Sequence, residues 1–177
     1  MEKEMSGEYK QFKVFFLYAS AGKDIKKEEL ICSELNHLAK AFYDFTDKTF
    51  GFEVDKYEYI LNVNLVGDKE IRDINKQYRK KDKITDVLSF PLQENLRGGK
   101  YDNFLEELEL GDLFICDSVC EKQAQEFSIS YIEEFLHLSV HGFLHLCGYD
   151  HEVSEAEEKI MEAFEESILL DIKKARS

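Results

Sequence analysis

Four of the five histidines in this chain, His137, His141, His145 and His151, fall within fifteen residues, in a segment that also holds Gly142 and Gly148. His141 and His145 are four positions apart. On a helix that separation stacks two imidazoles on one face, about one turn apart, so that two ring nitrogens can meet one metal ion. Gly148 suits the left-handed position that ends a helix and reverses the chain, which returns His151 as a third donor. Three neutral imidazoles with one coordination position open are the pattern of a catalytic zinc rather than a structural one. His137 also sits on this face, but it is ~12 Å from His145 along a helix axis at 1.5 Å per residue. It therefore falls outside the coordination sphere, and both it and His37 read as hydrogen-bonded core or cleft-wall residues.

The spacing equals that of the HExxHxxGxxH metallopeptidases, with a glycine in the same place. The chemistry differs, because Gly142 stands where those enzymes carry the glutamate that acts as general base. A peptidase reaction lacks its proton acceptor here. A metallopeptidase-like hydrolase and an assembly factor with a mainly structural metal remain as alternatives. One Zn2+ is the metal this donor set suits, although nickel, copper and iron also accept three imidazoles.

These side chains need a scaffold, and hydrophobic periodicity supplies its outline. Gln11–Ala19, Tyr57–Val66, Thr85–Pro91 and Leu110–Cys116 read as strands. Leu30, Ile31, Leu35, Leu38, Phe42 and Phe45 recur at helical spacing and predict one helix over Lys26–Phe45. Asp68 reads as the N-cap of a helix carrying Ile71, Ile74, Asn75 and Tyr78 on one side. Serine followed three residues later by glutamate marks three more helix starts, at Ser118, Ser130 and Ser154. Residues 1–10 are polar and patternless and read as a frayed end. The expectation is one domain over 1–177 of the α+β class, with a mixed four-stranded sheet, about five helices and the metal site at the end of a central helix.

The chain has 177 residues, 44% of them hydrophobic, which excludes global disorder and suffices for a core. Its apolar run Val14–Ala19 is shorter than the ~7–15 residues of a signal-peptide core. Its longest charge-free stretch in the C-terminal half, Phe135–Tyr149, is shorter than the ~20 residues of a membrane span. Cys32, Cys116, Cys120 and Cys147 form no metal-binding or redox spacing and read as reduced and buried. A cytoplasmic location follows as the expectation.

The string His141-Gly-Phe-Leu-His145-Leu-Cys-Gly-Tyr-Asp-His151 resembles the signature of the YbeY family of bacterial rRNA maturation factors. Two further blocks agree: Asn75, Tyr78-Arg79, Asp82 and Thr85-Asp86-Val87-Leu88-Ser89-Phe90-Pro91, then Leu110-Gly111-Asp112-Leu113. Ile84 departs from the proline usual before Thr-Asp. The resemblance implies a zincin-like fold and a metal-dependent, single-strand-specific endoribonuclease in 16S rRNA 3′-end maturation and ribosome quality control. It implies single-stranded rRNA precursors, the small ribosomal subunit and an Era-type GTPase as partners, with no membrane and no DNA. The metal set is then His141, His145 and His151, and the catalytic set is Arg79 and His141. Arg79 also has a chemical rationale, since a guanidinium fork matches a phosphate and its developing charge. Asp86 either orients a ligand histidine or caps a turn, and Ser89 lies along the expected cleft wall. Asp150 and Glu152 read as turn residues, Cys147 as buried, and Asp112 as a turn or sheet-edge acceptor.

A formal net charge of -14 argues at first against nucleic acid. The charge is unevenly spread. Lys69–Lys83 holds seven basic residues against three acidic ones, whereas Asp150–Asp171 holds nine acids against Lys159. Such a distribution confines RNA to the basic strip and predicts weak binding elsewhere.

Overall fold

The computed structural model describes residues 5–19, 23–50, 56–99 and 106–177. Among them five strands and six helices alternate irregularly: β1 (Met5–Tyr9), β2 (Phe12–Tyr18), α1 (Ile25–Cys32), α2 (Leu35–Phe50), β3 (Glu58–Val66), α3 (Asp68–Arg79), β4 (Val87–Pro91), β5 (Glu107–Cys116), α4 (Asp117–Phe127), α5 (Tyr131–Leu146) and α6 (Glu155–Arg176). The α+β class holds. The sheet, however, has five strands in the order β1-β2-β3-β5-β4, not four.

The additional strand is β1, in the segment that sequence alone reads as frayed; residues 1–4 lie outside the described residues. β1 pairs antiparallel with β2 through a turn at Lys10, whose φ of 50° is left-handed. Its polar residues carry no hydrophobic alternation, yet the backbone ladder and the close approach of Gly7 to Leu35 on α2 hold it. A Cβ at Gly7 would come 2.3 Å from the Leu35 carbonyl carbon. β2 and β3 run parallel, as do β3 and β5, and β4 returns antiparallel on β5 as the edge strand. The β3–β5 register shifts between Ile60 and Leu61, and the odd residue is absorbed beside Gly111, which has φ 140°. That bulge turns β5 against β4.

The helix expected over Lys26–Phe45 is two helices. Ser33 interrupts it by donating its hydroxyl to the Leu30 carbonyl, while Glu34 is drawn inward by His37 and Arg176. α3 begins at Asp68 itself, with Gly67 as its N-cap. Of the three serine–glutamate starts, only Ser130 with Glu133 forms both reciprocal bonds. Ser154 accepts from the Glu157 N–H, but the Glu157 carboxylate pairs with Arg97 instead. Ser118 lies inside α4 and its hydroxyl bonds Asp68.

α5 is the central helix. Phe135, Leu136, Val140, Phe143 and Leu144 are buried in one continuous core with Phe12, Phe16, Phe42, Leu61 and Leu113. Phe143 stacks on Phe42 with ring centroids 4.0 Å apart and contributes roughly 1.5–3 kcal/mol by burial. A smaller cluster of Val66, Ile71, Leu88 and Cys116 seats α3. Among the described residues, no helix is long and apolar enough to cross a membrane. Cys116, Cys120 and Cys147 are buried and Cys32 is half-buried, all as thiols.

Candidate active site

The last two turns of α5 project His141 and His145 toward one opening, and the chain then turns at Gly148, whose φ of 99° is left-handed. Arg97 braces that turn: its N–H donates to the Cys147 carbonyl, and its guanidinium lies 4.5 Å over the Tyr149 ring. Held this way, His151 returns to the helix end. His141 and His145 approach with Nε2 atoms 3.1 Å apart, and the ring centroids of His151 lie 5.2 Å from those of both partners. One donor atom from each of the three falls within 4.8 Å of the others, a group that fits a single metal ion.

Electrostatics suit neutral donors at part of this group. Burial, with His141 and His151 beside it, lowers the pKa of His145. His137 behaves differently. Its ion pairs with Glu134 and Glu165 raise its pKa to about 10, so it is an imidazolium at neutral pH and no metal donor. Burial opposes ionisation of Glu165, yet His137 and His141 hold its carboxyl at about 2.

The histidines form one end of a cleft of about 750 Å³, which is also lined by Asn75, Arg79, Asp86, Ser89 and Asp150. Arg79 ends α3, exposed, and donates Nη2–H to the Ser89 carbonyl at 2.8 Å with its guanidinium 5.6 Å from the Phe90 ring. A guanidinium carries five N–H donors, so this bond aims the fork and leaves donors for an anion. Buried Asn75 donates to the Lys83 carbonyl and shapes the loop between Arg79 and β4.

Asp86 resolves to a turn role. It accepts from the Val87 N–H, Thr85 and Gln123 rather than from a ligand histidine. Asp150 accepts from the Glu152 N–H in the turn before α6. Burial pushes the Cys147 thiol far up, which removes it as a donor. The basic strip is less open than its composition: Lys69 pairs with Asp73, and Arg72 and Lys76 pair with Asp82. Arg79, Lys81 and Lys83 are the basic residues lining the cleft.

Position 142 lies where α5 packs on the sheet. A Cβ there would lie 2.8 Å from Leu113 Cδ2 and 3.3 Å from Ser89 Oγ. A side chain at 142 would have to displace the buried Leu113 side chain where α5 packs on β5.

Residues 23–173 match the family model described as Endoribonuclease YbeY. The chain belongs to the YbeY endoribonuclease family. It is 47% identical over 120 residues to Endoribonuclease YbeY of Oenococcus oeni, covering 68% of this chain and 76% of that relative. The YbeY of Aquifex aeolicus is 46% identical over 115 residues, covering 65% of this chain and 71% of its own length. The solution structure of TM1509 from Thermotoga maritima matches with TM-score 0.54 and 28% identity, over 90% of this chain and 88% of that one. β1 and β2 precede the residues matched by the family model.

One residue that carries the site escaped the sequence reading of this YbeY family member. Glu165, counted within the acidic tail, bonds His141 Nδ1 at 2.5 Å. A signal did exist, since Glu165 sits on the apolar stripe of α6 formed by Met161, Ile168 and Ile172.

Proposed function

We propose that this protein is a metal-dependent, single-strand-specific endoribonuclease of rRNA maturation, with His141, His145 and His151 holding one Zn2+. The observation that carries the reading is the cleft itself: three converging imidazoles and Arg79 line one opening, with no carboxylate at position 142. The chemistry such an ion supplies when bound is Lewis acidity toward a phosphoryl oxygen and a more acidic water. The residues of the chain do the rest. Arg79 binds the phosphodiester through its fork and opposes the charge that develops on it. Lys81 and Lys83 draw the backbone of a single strand into the cleft, while the acidic face of α6 repels it elsewhere.

Family membership supports RNA as substrate. The net charge of -14 favours a substrate presented by a partner over free capture of any strand. The small ribosomal subunit, assisted by an Era-type GTPase, is the proposed context, in the cytoplasm, with the chain acting as one domain.

The test is metal analysis of the purified chain, paired with cleavage of single-stranded and double-stranded RNA before and after chelation. One zinc per chain and chelator-sensitive cleavage of the single strand are expected. Cleavage that survives complete metal removal, or chelator-sensitive proteolysis of casein without RNA cleavage, overturns the reading.

A further inference from the structure

α6 lays Glu165 against the back of the metal group, where its side chain is only 15% exposed. The two carboxylate oxygens are divided. Oε1 lies 2.5 Å from His141 Nδ1, and Oε2 lies 3.7 Å from His137 Nε2. His137 Nδ1 in turn lies 3.5 Å from Oε2 of Glu134, a carboxylate that is 1% exposed and has no hydrogen-bond partner of its own. Carboxylates and imidazoles thus alternate in a line, from the buried side of α5 across to α6 and back to the first ligand histidine. Among the described residues, His141 is the one member of the ligand group hydrogen-bonded to a carboxylate.

We propose that Glu165 is the positioning residue of the metal centre: it accepts the Nδ1–H of His141 and so directs the Nε2 lone pair of that ring at the ion, with His137 and Glu134 holding Glu165 in place. An ionised carboxylate only accepts, so the nitrogen that faces it must carry the hydrogen. The other nitrogen, which faces His145, is left as the donor atom. A buried carboxylate such as Glu134 is costly without a partner, and the His137 imidazolium is the cation that compensates it. The line also explains why a strongly acidic helix packs on the site rather than standing off it. The assignment rests on the metal reading proposed above.

The experiment measures zinc affinity of the full chain by competition with a chromophoric chelator, in wild type, Glu165→Ala and Glu165→Gln. Glu165→Ala is expected to bind about 10–100-fold more weakly. Glu165→Gln, whose amide oxygen still accepts, is expected to recover most of that loss. Nitrogen-15 spectra of the histidines in the zinc-loaded wild type should show His141 coordinated through Nε2 with hydrogen on Nδ1, a readout that needs no variant to fold. Coordination through Nδ1, equal affinity of Glu165→Ala and wild type, or equal losses in both variants overturns the assignment. So does a Glu165→Ala chain that melts lower without metal yet binds zinc as wild type does. A wild-type chain that takes up no zinc overturns the metal reading and this assignment together, whereas a failure confined to Glu165→Ala leaves the metal reading standing.

Discussion

Gly142 on α5 and Leu113 on β5 approach so closely that a β-carbon on the glycine would lie 2.8 Å from Leu113 Cδ2. Leu113 is fully buried and cannot swing into solvent. This contact lies next to the first metal-ligand candidate, His141, and makes any side chain at 142 compete with Leu113 for space. Gly142→Ala should therefore destabilise the protein, although alanine normally favours a helix interior by about 1 kcal/mol over glycine. Overpacking costs about 1–3 kcal/mol, so a net loss of up to about 2 kcal/mol in urea unfolding is expected. Gly142→Glu should lose more and gain no peptidase activity. An unchanged or raised unfolding midpoint for Gly142→Ala would show that the helix–sheet contact yields easily.

Among the described residues, the Arg79 side chain makes one hydrogen bond, to the Ser89 carbonyl, beside its contact with the Phe90 ring. Arg79→Ala should thus leave circular dichroism and metal content unchanged while slowing cleavage of single-stranded RNA about 10²–10³-fold, the usual effect of removing one charge-stabilising donor. Arg79→Lys should restore little, because an ammonium lacks the planar fork. Undiminished single-turnover rates in Arg79→Ala would remove the guanidinium from the reaction.

Metal linkage should appear in thermal melts. If His141, His145 and His151 hold the ion only in the folded chain, zinc at about 100 times its Kd adds roughly 2.7 kcal/mol. For a chain of this size that corresponds to a Tm rise of about 5–11 °C. His145→Ala should abolish the rise. A melt insensitive to zinc and to chelators in both proteins contradicts the site.

Acid stability should depend on Asp117, far from the cleft. Its carboxylate, in the first turn of α4, accepts from Tyr18 and Tyr131 hydroxyls at 2.8 Å each and from Lys27 at 3.0 Å. Burial opposes its ionisation, but Lys27, Tyr131 and Tyr18 outweigh burial and hold the carboxyl below its usual range. With the folded value depressed, the stabilisation is complete above about pH 4, the unfolded value. It is lost as pH falls through the folded value. Asp117→Asn should cost about 2 kcal/mol at pH 7, and its deficit relative to wild type should shrink as the pH is lowered from 5 toward 3. A deficit that stays constant over that range would assign the loss to packing rather than charge.

The metal motif, the central helix and the α+β class were legible in the sequence because each rests on short-range rules. Spacing of four places two histidines on one helix face, Gly148 permits the turn, and Ser130 with Glu133 fixes the helix start without reference to the rest of the chain. Alternation in β2, where every second residue is buried, is equally local. The features that went unread depend on partners distant in sequence. β1 carries no hydrophobic pattern and exists because β2 and α2 offer it a ladder and a close backbone contact. Glu34 is drawn in by Arg176, 142 residues away, and Asp86 is committed to a turn by Gln123. Glu165 looked like one more solvated acid until α6 packed on α5 and placed it behind His141. The sequence by itself pointed to three histidines, His141, His145 and His151, as candidate metal donors. Only the tertiary structure decided that Glu165 faces Nδ1 of His141 and that position 142 lies against Leu113, because both depend on the distance between packed elements rather than on the order of residues along one of them.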